Sequence, residues 1–594
     1  MHIRYKFLAL LWSLFLCFSS LCGQENLIFS AMAYELARTT EKLKIENYDA
    51  PYYVAYTLIE TETYSVSATL GNLLTTRYIP HDRSINTQMR VGSMSFDNTN
   101  FVSYGGFGES GVTYVSDEGT KQTSFENDYE ALLRDLWLAS DAVYKRTLAE
   151  LSKKKATLEN KVRVDTTADF SKANPFTSVS PRKDEQLNHK EWEERVKRIS
   201  EVFKQFPDIQ SSEVTLELKN QYRYFLNSDG AKNTKQGNVI KLEITAKTQA
   251  ADGMPLSNFI AFYGNSINDL PSEEEIVQQA TTIASEVSVL CSAPFFDTYS
   301  GPVLFERQAT AELVSQTLAS NLRNFRKPLT DDRFLEQRVK TILNESPFQN
   351  KVGTRILPEF LSVTDNPTKK SHRDVTLVGS YEVDDEGVQA REVKLIDEGY
   401  LKSLLTSRMP HNRVRESNGH GRGLPPQAFF SNFFLSSKKI KSEVELKKEL
   451  FNLCKKIGLK YGIIIRKIMN PYFEKNLKER ETFFFDSEDP RPFVLEPILV
   501  YKVYLDGKEE LVRGAEISGM AIQSLKEIVG VSNQDYIYNH IAMQRKSIIS
   551  GLYEESEIQA SVITPSLLFE SVDLKRSSKT YQTPPIAKHP VFAK

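Results

Sequence analysis

Two acidic turns that end in glycine divide the stretch from Asp374 to Leu405 into short segments. The turns are Asp385-Glu386-Gly387 and Asp397-Glu398-Gly399, and apolar and polar residues alternate around them. Glycine adopts the positive φ angles of tight turns, and alternation with a period of two is typical of half-buried strands. The pattern predicts an antiparallel β-meander. Asp384, Asp385 and Glu386 could suggest a metal cluster, but because acidic hairpin tips are usually solvated, we expect this run to face water.

Helices and strands alternate in the first 300 residues. Apolar residues at helical spacing predict helices over 26–44, 127–155 and 191–206, and Ser272 with Glu275 forms a capping box that opens another. The order helix, strands, helix occurs twice, which fits either an internal duplication or one domain with a large insertion. The predicted fold class is α+β, with a region of helices and antiparallel strands followed by a β-rich C-terminal domain.

A chain of 594 residues is too long for one ordinary domain. A segment rich in Ser, Thr, Asp and Lys, with two prolines, separates the two rounds of helix and strand. The predicted division is a signal peptide over 1–23, an N-terminal α+β region over 24–160, a linker over 161–190, a middle α+β region over 191–298, a C-terminal domain over 299–574 and a tail over 575–594.

The N-terminus has the pattern of an export signal. Arg4 and Lys6 precede a nearly uncharged apolar run over 7–20, which is too short for a typical membrane span. We expect cleavage after Gly23 and a periplasmic or extracellular location. Lipidation at Cys22, which would give a lipid-anchored protein, and an uncleaved anchor are the alternatives. No later stretch approaches the ~18 apolar residues of a spanning helix.

Charge and cysteine content exclude several classes of protein. The net charge of −2 gives no basic field for a nucleic-acid partner. Beyond the signal region the chain contains only Cys291 and Cys454, in no CxxC motif. Free thiols are favoured, and a disulfide in an oxidising compartment is the alternative. The sequence has no P-loop, GxSxG or HExxH motif.

Five segments in a fixed order carry a family resemblance. They are Tyr381–Gly387, Val393–Gly399, Leu401–Arg408, Ser417–Arg422 and Asn432. This series resembles the C-terminal domain of the TldD/PmbA family of metallopeptidase-like proteins, which implies a C-terminal domain of that type here.

In that family the glycine-rich loop corresponding to 417–422 lies near the substrate cleft. Its backbone N–H groups could hold a peptide, although a plain turn is the alternative. The resemblance therefore implies a set of candidate peptide-binding residues, namely Ser417, Asn418, Gly419, His420, Gly421, Arg422 and Asn432.

The metal-binding motif of the catalytic family members is missing. Those proteins hold zinc through HExxxH on a helix and a cysteine near the C-terminus. Here the predicted helix over 308–324 carries Ser315, Gln316 and Ser320 at the matching positions, and Gly551–Glu555 contains no cysteine. Hydroxyls and an amide do not replace imidazoles and a general base. We therefore predict no bound metal, no other cofactor and no catalytic residue.

The family also contains a non-catalytic, PmbA- or TldE-like branch that pairs with a TldD-like subunit. The resemblance implies an exported TldE-like subunit that assists a metallopeptidase in cleaving extended peptides. Its partners would be a TldD-like subunit or a second copy, and a peptide, with no nucleic acid and no membrane span. One alternative is an active metallopeptidase with a site rebuilt from Glu312, His411 and His420. Another is a secreted peptide-binding or scaffold protein.

Overall fold

The computed structural model describes residues 27–102, 118–159, 165–331, 336, 346–477, 494–518, 520, 522–545, 555–579 and 581–582. The predicted signal peptide and most of the predicted tail lie outside these residues. The helices are α1 (27–42), α2 (Tyr129–Glu159), α3 (His189–Glu201), α4 (Glu273–Ser292), α5 (Gln308–Val314), α6 (Glu443–Lys456) and α7 (Pro471–Leu477).

The strands divide the chain near residue 299. The first set is β1 (Pro51–Thr69), β2 (Asn72–Ser93), β3 (Phe96–Asp97), β4 (Phe101–Val102), β5 (Glu118–Gln122), β6 (Thr177–Ser178), β7 (Ser211–Asn227), β8 (Lys232–Gln236), β9 (Val239–Gln249) and β10 (Pro255–Gly264). The second set is β11 (Tyr299–Phe305), β12 (Leu329–Thr330), β13 (Leu361–Asp365), β14 (Ser371–His372), β15 (Val375–Thr376), β16 (Val393–Asp397), β17 (Tyr400–Leu401), β18 (Gly421–Arg422), β19 (Gln427–Ala428), β20 (Asn432–Ser437), β21 (Tyr461–Ile468), β22 (Pro497–Tyr504), β23 (Glu509–Val512), β24 (Ala515–Ser518), β25 (Ile528–Arg545) and β26 (Glu555–Arg576).

The strands of both rounds of helix and strand lie in one nine-stranded sheet. Its main path runs β10-β9-β7-β1-β2-β3, and β1 is hydrogen-bonded to β2 on one side and to β7 on the other. Alternate residues of β7 from Val214 to Tyr222 are buried, so one face of the sheet carries the core there. Helices α3 and α4 cover one end of that face, and α1 and α2 cover the other.

The second sheet has eleven strands and is built around β26. In its first half β26 pairs with β25 and, in parallel, with β20; in its second half it pairs with β11 and β24. Strand β11 also pairs in parallel with β21. The largest core cluster lies against this sheet and includes Phe305, Phe569, Leu361 and Ile465. Helix α6 packs over β11 and β21 through Leu446 and Leu450.

The predicted β-meander forms only in part. The turn at 397–399 joins β16 and β17 as expected, whereas the turn at 385–387 is closed by a single bridge between Val383 and Gln389. The capping box of Ser272 and Glu275 is confirmed at the start of α4. Among the described residues, no helix is both long and apolar enough to cross a bilayer. The α+β class is therefore confirmed.

Candidate functional site

The segment that would carry the metal motif follows β11. Arg307 adopts a positive φ of 49° between β11 and α5 and turns the chain back over the sheet. Helix α5 then continues as a single π turn over Ser315–Ala319, in which Ser320 N donates to Ser315 O at 3.1 Å. The helix predicted over 308–324 is thus shorter than expected. π turns inside helices are frequent at functional sites, because they re-aim side chains.

Ser315 faces a histidine that is distant in sequence. Its Oγ lies 3.1 Å from Nε2 of His540 on β25, and both side chains are buried. The His540 ring stacks on Tyr538 with centroids 4.7 Å apart. Burial lowers the pKa of His540 to about 4, so this imidazole is neutral at physiological pH.

Gln316 and Glu312 belong to one buried hydrogen-bond network. Glu312 accepts from Tyr538 Oη at 2.7 Å, from Gln316 Nε2 at 2.8 Å and from Asn470 Nδ2. Gln316 also donates to Met469 O, and its Oε1 accepts from a backbone N–H at 2.9 Å. Burial raises the pKa of Glu312 to about 7. The amide of Gln316 is therefore satisfied within the protein at both its nitrogen and its oxygen.

The residues present do not fit the zinc ion of the family's catalytic members. Ser320 Oγ donates to Ser315 O at 2.8 Å, so the three replaced positions all make internal hydrogen bonds. Zinc prefers imidazole nitrogen, thiolate sulfur and carboxylate oxygen. Across the described residues, no group of three or more His, Cys, Asp and Glu side chains could hold a metal ion.

The alternative metal cluster of Glu312, His411 and His420 is not assembled. His420 is bound through Nε2 to Asp365 at 3.0 Å, and His411 lies in a separate turn closed by its own N–H to Val414 O. Of the segment Gly551–Glu555, which corresponds to the position of the family's cysteine, only Glu555 is described.

The glycine-rich loop over 417–422 is buried and largely bonded to its own protein. Asn418 Oδ1 accepts from Thr406 N at 2.8 Å, and Gly419 N donates to Ser417 Oγ. Gly421 N donates to Asp384 Oδ2 at 2.9 Å. These backbone N–H groups, on which the expected peptide binding depended, already have acceptors.

The remaining candidates of this set differ in what their polar atoms contact. Arg422 donates from Nη1 to Phe430 O and to Gln559 O, both at 2.9 Å. Asn432 donates from Nδ2 to two carbonyls of the 366–369 loop, while its buried Oδ1 has no partner among the described residues. Asn432 Oδ1 is thus the unused acceptor of the predicted peptide-binding set.

The prediction that Asp384–Glu386 faces water is wrong. Asp384 is 2% exposed and Glu386 4% exposed, because the turn packs against the first sheet. Two cations of that sheet, Arg223 and Lys235, form ion pairs with Asp385, the second at 3.1 Å. The cationic surface of the first sheet therefore replaces water as the partner of Asp385.

Burial sets the protonation of the three carboxyls differently. Burial alone would raise the pKa of Asp385, but Lys235 and Arg223 outweigh it and hold that pKa well below its usual range. Burial raises the pKa of Asp384 to about 6. Burial, together with the charge of Asp384, raises the pKa of Glu386 to about 8. Glu386 is therefore mostly protonated at neutral pH.

Sequence reasoning missed His540 and the role of Glu312. Tyr536, Tyr538 and His540 alternate along β25, so their side chains share one face, and the stacked rings show this. The period-two pattern was visible in the sequence. The contact between His540 and Ser315 was not visible in the sequence, because 225 residues separate the two.

The two sheets and their connections define a class of fold that is shared with solved structures. TldE from Thermococcus kodakarensis matches with a TM-score of 0.54 and 14% identity, over 92% of this chain and 99% of that one. A proposed modulator of a DNA gyrase from Thermotoga maritima matches with a TM-score of 0.53 and 17% identity, over 88% and 96% of the two chains. At these identities the likeness shows the fold.

Sequence comparisons relate part of the C-terminal region to a particular protein family. Residues 298–479 match the model of the PmbA/TldA metallopeptidase C-terminal domain. The chain is 38% identical to a metalloprotease from Methanocaldococcus jannaschii over 96 residues. The aligned segment makes up 16% of this chain and 20% of that protein. The match thus spans about a fifth of the curated relative. Residues 298–479 are thus of the TldD/PmbA type, and the whole chain shares its fold with the two solved structures.

Proposed function

We propose that this protein is an exported, non-catalytic, TldE-like subunit that assists a metallopeptidase acting on extended peptides. The observation that supports it best is the network around Ser315, Gln316 and Ser320. In place of two imidazoles and a general base, these positions hold two hydroxyls and an amide, all engaged in internal hydrogen bonds. Export rests on the N-terminal sequence pattern alone.

The assignment of peptide binding to the loop 417–422 and to Asn432 rests on the family resemblance, because Gly419 N and Gly421 N already donate within the chain. An extended peptide presents backbone N–H groups, and the Oδ1 of Asn432, which is buried and has no partner among the described residues, is an acceptor of the right kind. Asn432→Ala removes this acceptor, whereas Asn432→Asp keeps an acceptor oxygen but loses the two Nδ2 hydrogen bonds to the 366–369 loop, so the thermal stability of both variants is compared with that of the wild type first. The affinity for an unfolded peptide, followed by fluorescence anisotropy, should fall for the alanine variant and be retained by the aspartate variant. Equal affinity of both would remove Asn432 from the site.

Co-expression with a family member that carries HExxxH and is encoded in the same genome tests the subunit role. The two chains should co-purify, and the complex should cleave an unfolded peptide faster than the catalytic chain alone. Replacing the motif glutamate of that partner by glutamine should abolish cleavage, since the glutamate takes the proton from metal-bound water. In contrast, Ser315→Ala in this chain should leave the cleavage rate of the complex unchanged.

Two results would contradict the proposal. One is peptide cleavage by this chain alone that Ser315→Ala or His540→Ala abolishes. The other is failure of the two chains to associate at micromolar concentrations. Metal analysis of the purified chain tests the alternative of an active metallopeptidase. Such an enzyme with unusual ligands would contain one zinc, iron or manganese ion for each chain.

A further inference from the structure

Helices α1 and α2 carry exposed aromatic and aliphatic side chains on their outer faces. On their inner faces Ile28 and Leu136 belong to the same core cluster, so both helices pack on one end of the first sheet. On the outer faces Tyr34 is 57%, Trp137 48% and Leu138 42% exposed. Isolated exposed hydrophobic residues are common on soluble proteins, whereas a contiguous group of them indicates an interaction surface.

The exposed side chains of the two helices form one patch. Cζ of Arg38 lies 5.9 Å from the centroid of the Trp137 ring, which connects α1 with α2. Tyr34 precedes Arg38 by one helical turn, and Leu138 follows Trp137 directly. Exposed alanines on the same faces extend the apolar surface, namely Ala33, Ala37 and Ala142. This surface is called the α1–α2 patch below.

Two ion pairs at the α1–α2 patch have their cations on the outside. Glu35 lies 2.8 Å from Arg38, and Asp135 lies 3.2 Å from Arg134. Both carboxylates are buried, whereas the side chain of Arg134 is exposed and that of Arg38 is partly exposed. At these two pairs the patch therefore presents positive charge to its surroundings.

A phospholipid bilayer matches this combination of side chains. Tryptophan and tyrosine are enriched where lipid headgroups meet acyl chains, because each has an apolar ring and a polar tip. An arginine can bury its aliphatic stem beside such rings and keep its guanidinium among the lipid phosphates. The exposed pair of Lys145 and Asp141, 2.6 Å apart on α2, adds no net charge to the face.

The sequence before α1 also favours a bilayer as the occupant of the patch. The apolar run over 7–20 ends six residues before Leu27, where α1 begins. Six residues of extended chain span at most roughly 20 Å. While the run is in the membrane, during export or in the anchored alternative, α1 is therefore within reach of the bilayer surface.

We propose that the α1–α2 patch binds the surface of a phospholipid bilayer and holds this protein at the membrane as a peripheral protein. The Tyr34 and Trp137 rings and Leu138 enter the boundary between headgroups and acyl chains, and Arg38 and Arg134 contact lipid phosphates. This inference goes beyond the proposed function and uses only the export of the chain from it. Vesicle binding is measured with this chain alone, so its failure leaves peptide cleavage with a catalytic partner untouched.

Vesicle flotation of the chain expected after cleavage, residues 24–594, tests the patch without the apolar run. The vesicles contain three parts of phosphatidylethanolamine to one part of phosphatidylglycerol. We expect a partition constant of about 10⁴ M⁻¹, as for one myristoyl chain, so about nine-tenths of the protein should float at ~1 mM lipid. Leu138→Glu should lower this constant about tenfold, to about half bound, because a leucine no longer enters the bilayer.

The matched control is Val289→Glu. Val289 is an exposed aliphatic residue of α4, and α4 covers the opposite end of the first sheet. The same charge is thus added to a helix at a similar exposure, away from the patch. This variant should float as the wild type does.

Tryptophan fluorescence reports the orientation on the vesicle independently of flotation. Residues 24–594 contain two tryptophans, the exposed Trp137 and the buried Trp192. Vesicles whose lipids carry brominated acyl chains should quench Trp137, because its ring enters the bilayer, and leave the emission of Trp192. Trp137→Phe keeps an aromatic ring in the patch, so it should float nearly as the wild type does and lose the quenching.

Three results would overturn the proposal. They are a wild-type chain that stays unbound at ~1 mM lipid, a Leu138→Glu variant that floats as well as the wild type, and quenching by brominated lipid that persists in Trp137→Phe. Flotation of the wild type, its loss in Leu138→Glu but not in Val289→Glu, and quenching that depends on Trp137 would establish it.

Discussion

Glu386 makes the stability of this protein depend on pH in a calculable direction. The carboxyl accepts a hydrogen bond from Arg408 N at 2.6 Å and lies beside Asp384 in a buried turn. Its pKa is about 8 in the folded protein, against a usual value of 4.5. Because the folded pKa is the higher of the two, its contribution is fully present below pH 4.5. It is lost as pH rises through 8.

The difference between these pKa values sets the size of the effect. At 1.36 kcal/mol for each pKa unit, ionisation of Glu386 reduces the free energy of unfolding by at most about 5 kcal/mol between pH 4.5 and pH 9. Glu386→Gln is expected to remove this loss, because the amide has the shape of the protonated acid. Its oxygen can still accept from Arg408 N, and its nitrogen can donate to Asp384.

Urea denaturation followed by tryptophan fluorescence at pH 5, 7 and 9 measures the effect. The wild type should lose most of this stability between pH 5 and pH 8 and little more up to pH 9, and Glu386→Gln should lose much less, so the two curves diverge mainly between pH 5 and pH 8. Glu382→Gln is the matched control, since Glu382 lies in the same hairpin and is mostly exposed. If the curves of wild type and Glu386→Gln run parallel over this range, the reasoning about Glu386 is refuted.

Three further predictions follow from single contacts. Arg408→Met should lower the free energy of unfolding by about 3 kcal/mol in urea titrations, because the buried guanidinium pairs with Asp229 at 2.8 Å; no change would contradict this ion pair's role. Ser272→Ala should cost about 1 kcal/mol, measured the same way, through loss of the α4 cap, and an unchanged midpoint would argue against it. In native protein, iodoacetamide should modify the half-buried thiol of Cys291 and spare the buried one of Cys454, as read by peptide mass spectrometry. Equal labelling of the two thiols would contradict the burial.

Much of the fold could be predicted from local pattern. Helix α2, the capping box at Ser272 and the hairpin at 397–399 depend on residues close in sequence, so periodicity and turn chemistry were sufficient. The free state of Cys291 and Cys454, favoured from their spacing, is also found in the structure. Whether residues 417–422 and Asn432 bind a peptide remains a prediction.

The parts that failed depend on distant residues. Asp385 lies 162 residues from Arg223, so no local pattern could show that a cationic strand would bury the acidic turn. Similarly, the sequence near Ser315 does not predict its contact with His540, and the sequence near β1 does not predict that β1 pairs with β7. Such contacts follow from chain topology, which short-range propensity does not specify.

The sequence by itself determined the chemical identity of the groups at the former metal positions: hydroxyls and an amide remain such wherever the chain places them. It also determined the α+β class, since periodicity is a property of neighbouring residues. Only the tertiary structure decided the protonation of Glu386 and the partners of Ser315 and Gln316. Those depend on burial and on charges brought together from remote strands, because solvation and electrostatic energies depend on distances in space rather than along the chain.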